Sequence, residues 1–225
     1  KRTVLCSRDK YLMLRAICEG SDDNPLAKAI AHLILAEEEE PTREIADLVA
    51  LGAEAVPSLI SLLKNPDFYS PLFPGYGEAP ALAARCLGLI GDERAISPLF
   101  DAMGEIDFFI EEAVLQALVV IGDRAQTFLL NTIQRLPITA DNERAAIALL
   151  GFPEEEELSQ ACLKMLKEPT LSYRSVFAAY LAMGCHSLTR EEDRRHFIQL
   201  SQREGLPLDL KHEMDVIIQK WNPIH

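Results

Sequence analysis

The sequence predicts an all-α protein built as a stack of helix pairs, an α-solenoid, and three observations carry that expectation. Similar segments recur along the chain, each an apolar run, a glycine break and a second apolar run. The break glycines, Gly52, Gly91, Gly122, Gly151 and Gly184, are spaced by 39, 31, 29 and 33 residues, the range of a two-helix repeat. Within each run the apolar residues fall at helical intervals, and strand-like alternation is absent.

The elements follow in order. Residues 1–41 read as an N-terminal helical cap, with helices over 6–19 and 25–36, because a stack of repeats needs terminal units with one polar face. Repeats occupy 42–204. The first copy, residues 44–63 (EIADLVALGAEAVPSLISLL), places Val56, Leu59, Ile60 and Leu63 on one face of its second helix. The copy at 83–103 (AARCLGLIGDERAISPLFDAM) aligns Ala83, Cys86, Leu87 and Ile90, with Leu82 just before them, on its first helix. A third copy spans 113–133 (AVLQALVVIGDRAQTFLLNTI), a degenerate one 144–166 with FPEEEE inserted at the break, and a weaker one 176–200. One closing helix over 208–221, within a C-terminal cap of 205–225, completes a single domain of 1–225. Glycine at each break is expected to supply the left-handed conformation that ends a helix, and Asp92 and Asp123 to cap the helices that follow.

The strings LGLIGDERAISPL and ALVVIGDRAQTFL resemble the short HEAT-like repeats first described in phycobilin lyases, a branch of the HEAT and armadillo solenoids. The resemblance implies a right-handed α-solenoid of about five to six helix pairs, with second helices lining the concave face. Such repeats occur in binding scaffolds, bilin lyases, a DNA glycosylase group and deoxyhypusine hydroxylases, so the fold does not select a function.

Composition narrows the choice. The 225 residues are 48% hydrophobic and 25% charged, which is incompatible with a disordered or fibrous chain. A net charge of -13 opposes the phosphate neutralisation on which nucleic-acid and anionic-membrane binding rest. Residues 37–157 hold 23 acids and 7 bases, net −16, whereas the flanks are slightly basic, so a basic protein surface is the expected partner. The densest acidic runs, 37–40 and 154–157, sit where helices should begin, a favourable place for carboxylates. The longest apolar stretch, 113–122, is about half of the roughly 20 residues that cross a bilayer. Five widely spaced cysteines without a C-x-x-C pair argue against a disulfide framework or zinc clip and for a reducing, cytoplasmic setting. The N-terminus, KRTVLCSRDK, carries neither an initiator Met nor an apolar leader segment, and reads as preceded by further residues.

The candidate functional residues are few. The insertion 66–80 (PDFYSPLFPGYGEAP) combines four prolines and two glycines with Phe68, Tyr69, Phe73 and Tyr76. It is read as a non-helical loop that either seals its own repeat or awaits a partner, with Phe73 and Tyr76 held apart by a Pro74-Gly75 turn. Aligning second helices on the break gives a mixed polar ladder of Ser61, Asp101, Asn131 and Lys164, without the aromatic platform or basic track of a nucleic-acid groove. His212-Glu213 is one pair where an iron site would need several, so neither metal nor cofactor is expected. Cys185-His186 lacks an orienting third group, Cys86 and Cys162 fall on apolar faces, and Gly75-x-Gly77 lacks the context of a phosphate loop. No catalytic residue is assigned. The expectation is a bacterial, non-catalytic protein-binding scaffold whose contacts are Phe68, Tyr69, Phe73, Tyr76, Ser61, Asp101 and Asn131. A bilin-lyase-type enzyme or accessory subunit is the alternative, and a DNA glycosylase is the third reading.

Overall fold

The computed structural model describes residues 2–20, 24–36, 41–104, 108–153 and 155–221, and among the described residues it is all-helical. Thirteen α-helices follow in order: α1 (Arg2–Glu19), α2 (Pro25–Ile34), α3 (Thr42–Leu51), α4 (Val56–Lys64), α5 (Ala79–Ile90), α6 (Ile96–Ala102), α7 (Phe108–Ile121), α8 (Asp123–Ile133), α9 (Ala140–Leu149), α10 (Glu156–Leu166), α11 (Val176–Met183), α12 (Glu191–Ser201) and α13 (Leu208–Trp221). Three short 310 helices, Gly52–Glu54, Pro66–Tyr69 and Glu93–Ala95, lie between them. Each expected copy is a helix pair, and the insertion departs from the expected irregular loop by opening with a 310 turn at Pro66–Tyr69.

The chain divides into two compact units, Lys1–Ala125 and Gln126–His225. In the first, α2 packs on α1 and α3, and α3, α5 and α7 succeed one another as a row of first helices. The second helices α4 and α6 form a neighbouring row, α4 against α5 and α6 against α7. Leu48, Leu59, Leu63, Leu87, Leu99 and Leu118 fill the space between. Gly88 sets the closeness of α5 and α7: a Cβ there would lie 2.8 Å from the Ala117 Cα, so these helices meet backbone to backbone. The second unit repeats the scheme, with α9, α11 and α13 in one row and α10 and α12 in the other, around Leu163, Leu166, Phe177, Leu181 and Phe197.

The breaks are less uniform than the alignment suggests. Gly52, Gly91 and Gly122 have positive φ (57°, 70° and 79°), as a glycine that ends a helix should. Gly184 does not: it is right-handed, at φ −66°. Its missing side chain instead makes room, because a Cβ would come 2.5 Å from Cys162 Sγ on α10. Gly151 is likewise outside the positive-φ region. Asp92 caps as expected, its carboxylate accepting the Arg94 N–H at 2.9 Å, whereas Asp123 is itself the first residue of α8. Of the acidic runs, 37–40 and Glu154 lie outside the described residues, and Glu156 and Glu157 occupy the first turn of α10.

Asp92 does more than cap. Arg94 donates from Nε (2.9 Å) and Nη2 (2.6 Å) to the same carboxylate and from Nη2 to the Ala53 carbonyl (3.0 Å), tying one break to the preceding one. The Arg94 guanidinium on the carboxylate, followed by the Arg94 backbone N–H, holds the Asp92 pKa down at about 2. A carboxyl lowered on folding stabilises above its ordinary pKa of about 4 and loses that contribution as pH falls toward its folded value. Asp92→Asn should therefore be less stable than the parent at neutral pH, with urea midpoints converging between about pH 4 and pH 2. A constant gap across that window would mean that the carboxylate is not paired in the fold.

Two tyrosines perform one task in different repeats. After α4 the chain reads Leu63-Lys64-Asn65-Pro66 and returns Tyr69, whose hydroxyl donates to the Leu63 carbonyl. After α10 it reads Leu166-Lys167-Glu168-Pro169 and returns Tyr173, whose hydroxyl donates to the Leu166 carbonyl at 2.8 Å. Each satisfies a helix-terminal carbonyl that the helix cannot pair internally.

Candidate functional site

The insertion in the first unit is built inward from Phe73, which is 8% exposed. Phe68 meets its ring edge to face at 4.7 Å, and Lys10 of α1 places Nζ 4.7 Å over the ring centroid while pairing with Asp67 at 2.5 Å. Gly75 lies so close to the C-terminus of α2 that a Cβ would be 2.1 Å from the Ile34 carbonyl oxygen. The loop is thus fastened to α1, α2 and α4. Three of the four aromatics, Phe68, Tyr69 and Phe73, are engaged with the chain itself, and Phe73 and Tyr76 lie in opposite environments on either side of the Pro74-Gly75 turn. The large apolar side chains that the loop shows to solvent are Tyr76, 68% exposed at a φ of 55°, and Leu72, 61% exposed. Positive φ costs an aromatic residue of order 1–2 kcal/mol, and the glycines on either side of Tyr76 share that half of the map.

Ser61, Asp101, Asn131 and Lys164 are all exposed, and Lys164 bonds Gln134 at 2.8 Å. The sequence overlooked a different set: Leu89 and Val120, each 55% exposed, stand two residues before Gly91 and Gly122 at the ends of α5 and α7. Leu150 and Met183 stand one residue before Gly151 and Gly184 and are 37% and 41% exposed. The alignment that identified the breaks contained this signal, an apolar residue where the helix has already turned away from its core.

Cys185 and His186 do not face one another. Cys185 is buried and its thiol donates to the Leu181 carbonyl at 3.2 Å, while the His186 Nδ1 lies 2.9 Å from the Met183 carbonyl. Burial pushes the Cys86 and Cys162 thiols up to about 12 and Cys185 well above its ordinary value, so none carries the thiolate that a nucleophile needs. His212 and Glu213 are exposed neighbours on α13, and no group of three metal-ligating side chains occurs among the described residues. His186 and Glu213, from separate motifs, line one cavity of about 270 Å³ in the second unit. Among the described residues no single helix is long and apolar enough to cross a membrane. Compared with known proteins, the chain matches no family model, and no curated protein is detectably similar to it.

Proposed function

We propose that this chain is a non-catalytic scaffold, a right-handed α-solenoid of HEAT-like helix pairs, that binds a protein with a basic surface through its first unit. The observation that carries this reading is the division of labour in the insertion: three aromatics fix the loop, and Leu72 and Tyr76 are left exposed on a backbone that no longer has to be ordered on binding. Charge supports the kind of partner. Glu44, Asp47, Glu54, Glu78, Asp101 and Glu112 in this unit have no ion pair among the described residues, and an unneutralised field of one sign steers a partner of the other.

The test compares two variants of the full chain against a partner captured from its own cell. Tyr76→Ser with Leu72→Ser should weaken that partner by about 2 kcal/mol, the usual cost of truncating an aromatic anchor, and leave the urea midpoint unchanged. Phe73→Ala should instead cost about 3 kcal/mol of stability, as truncation of a buried phenylalanine does. Added salt should weaken the complex further. An unchanged affinity in the Leu72/Tyr76 variant would remove the insertion from the binding surface.

A further inference from the structure

We infer that the cavity of the second unit binds a small zwitterion, a molecule with an ammonium and a carboxylate at the two ends of an apolar body. The walls are mostly apolar, with Leu150, Phe152 and Met183 on one side and Val216 and Ile217 of α13 on the other. Phe152 and Ile217 are buried, and Leu150 and Met183 are partly exposed. Two ionic residues of α13, Glu213 and Lys220, line the same cavity. Both are exposed, so their charges stand at its mouth and not in its floor.

Those charges determine what the ends of the occupant must be. A spacing of seven residues puts Glu213 and Lys220 on one face of the helix, about 10 Å apart along the axis and too far to pair with each other. Neither has another ion-pair partner among the described residues. A charge-assisted hydrogen bond of about 2.8 Å at each end leaves an occupant roughly 4–7 Å between its own charges, the spread coming from the rotatable Lys220 stem. An α-amino acid is too short, because a single carbon carries both of its charges. A simple carboxylic acid or amine answers one rim charge and turns an apolar end to the other.

The cavity is held open by contacts of its own chain. Trp221 Nε1–H donates to the His186 carbonyl at 2.7 Å and the Trp221 ring meets Phe197 edge to face at 5.3 Å, which fixes the end of α13 that carries Lys220. A site ordered beforehand loses little entropy on binding. The volume of about 270 Å³ lies just below the roughly 300–1,000 Å³ of sites for drug-sized molecules and calls for a smaller occupant. This inference goes beyond the proposed scaffold function and does not depend on it, because it concerns the other unit.

Trp221 is the one tryptophan of the chain and its bonding partner His186 lines the cavity, so its fluorescence reports occupancy, with calorimetry of the same full-length chain as the second readout. Tranexamic acid, whose cyclohexane ring holds an ammonium and a carboxylate apart, should bind with a Kd of about 1 mM or below, as a ligand of its size can. Cyclohexanecarboxylate and cyclohexylmethylamine, which each lack one charge, and leucine, whose charges are too close, should bind about tenfold more weakly or worse. Glu213→Gln and Lys220→Met, at exposed positions, should each weaken tranexamic acid about tenfold. Glu213→Gln should also erase its advantage over cyclohexanecarboxylate, and Lys220→Met its advantage over the amine. Alanyl-leucine, whose extended chain separates its termini by about 7 Å, distinguishes the source: tighter binding than tranexamic acid assigns a short peptide with free termini, and weaker binding a free ω-amino acid. Neither heat nor a change in emission with either zwitterion up to about 20 mM, or single-charge probes bound as tightly as tranexamic acid, would overturn the proposal.

Discussion

Asn142→Asp should destabilise the protein by about 3 kcal/mol at neutral pH, although it changes one amide to a carboxylate of the same shape. Asn142 is 1% exposed, and its Nδ2 shares its two N–H groups among three carbonyls where α8 ends: Thr132 at 3.2 Å, Ile133 at 3.0 Å and Arg135 at 2.8 Å. Its Oδ1 accepts from the Thr139 backbone N–H at 2.7 Å, closing a capping box at the start of α9. One side chain therefore ends one helix and begins the next. The carboxylate keeps the accepting half and reverses the donating half, setting a negative charge against carbonyls at the negative end of a helix. Protonation relieves this repulsion, so the folded pKa of the new carboxyl lies above its unfolded value of about 4. Its cost should be small below that value and should grow as pH rises toward the folded pKa. Urea titrations at about pH 4 and 7.5 measure the difference. A loss that does not depend on pH would show that the three carbonyls are not satisfied by Asn142.

Gly75→Ala should cost at least 2 kcal/mol more than Gly91→Ala, even though both glycines lie in the left-handed region, at φ 81° and 70°. The conformational cost of a Cβ at such an angle, about 1 kcal/mol, is common to both. Around Gly91 nothing lies within 4 Å of the added carbon, whereas at Gly75 it meets the Ile34 carbonyl oxygen at 2.1 Å. The loop must lift away from α2, and it carries buried Phe73 with it. The comparison isolates the contact from the conformation. Equal losses would mean that the insertion is not seated on α2.

Local patterns read well from the sequence where a single helix supplied the information. The apolar spacing in 44–63, 83–103 and 113–133 identifies helix pairs because burial on one face needs only that helix and its nearest neighbour. Tertiary reasons were not legible. Gly184 aligned with Gly91 as a conformational break, yet it is required by a sulfur atom on α10. Phe73 and Tyr76 flank the same two residues and go to opposite environments: Phe73 is covered by Phe68 and by Lys10, sixty-three residues away, and Tyr76 is exposed. In Asn142 the local half was visible, because Thr139 three residues ahead is the start of a capping box. Its bonds to the end of α8 depend on how the chain turns between helices.

The reach of Lys10 into the insertion has a kinetic consequence. Among the described side chains of α1, Leu14 alone is buried, and the helix packs on α2 while Lys10 reaches the insertion. Fraying of α1 would withdraw a cation from the face of Phe73 and from Asp67 in one event. Segments that open together exchange their amides with one free energy, however far apart they lie in the chain. Opening of the first helix thus removes one of the insertion's three fastenings while those to α2 and α4 remain, so a protease that finds the loop reports in part on a segment some sixty residues earlier in the chain.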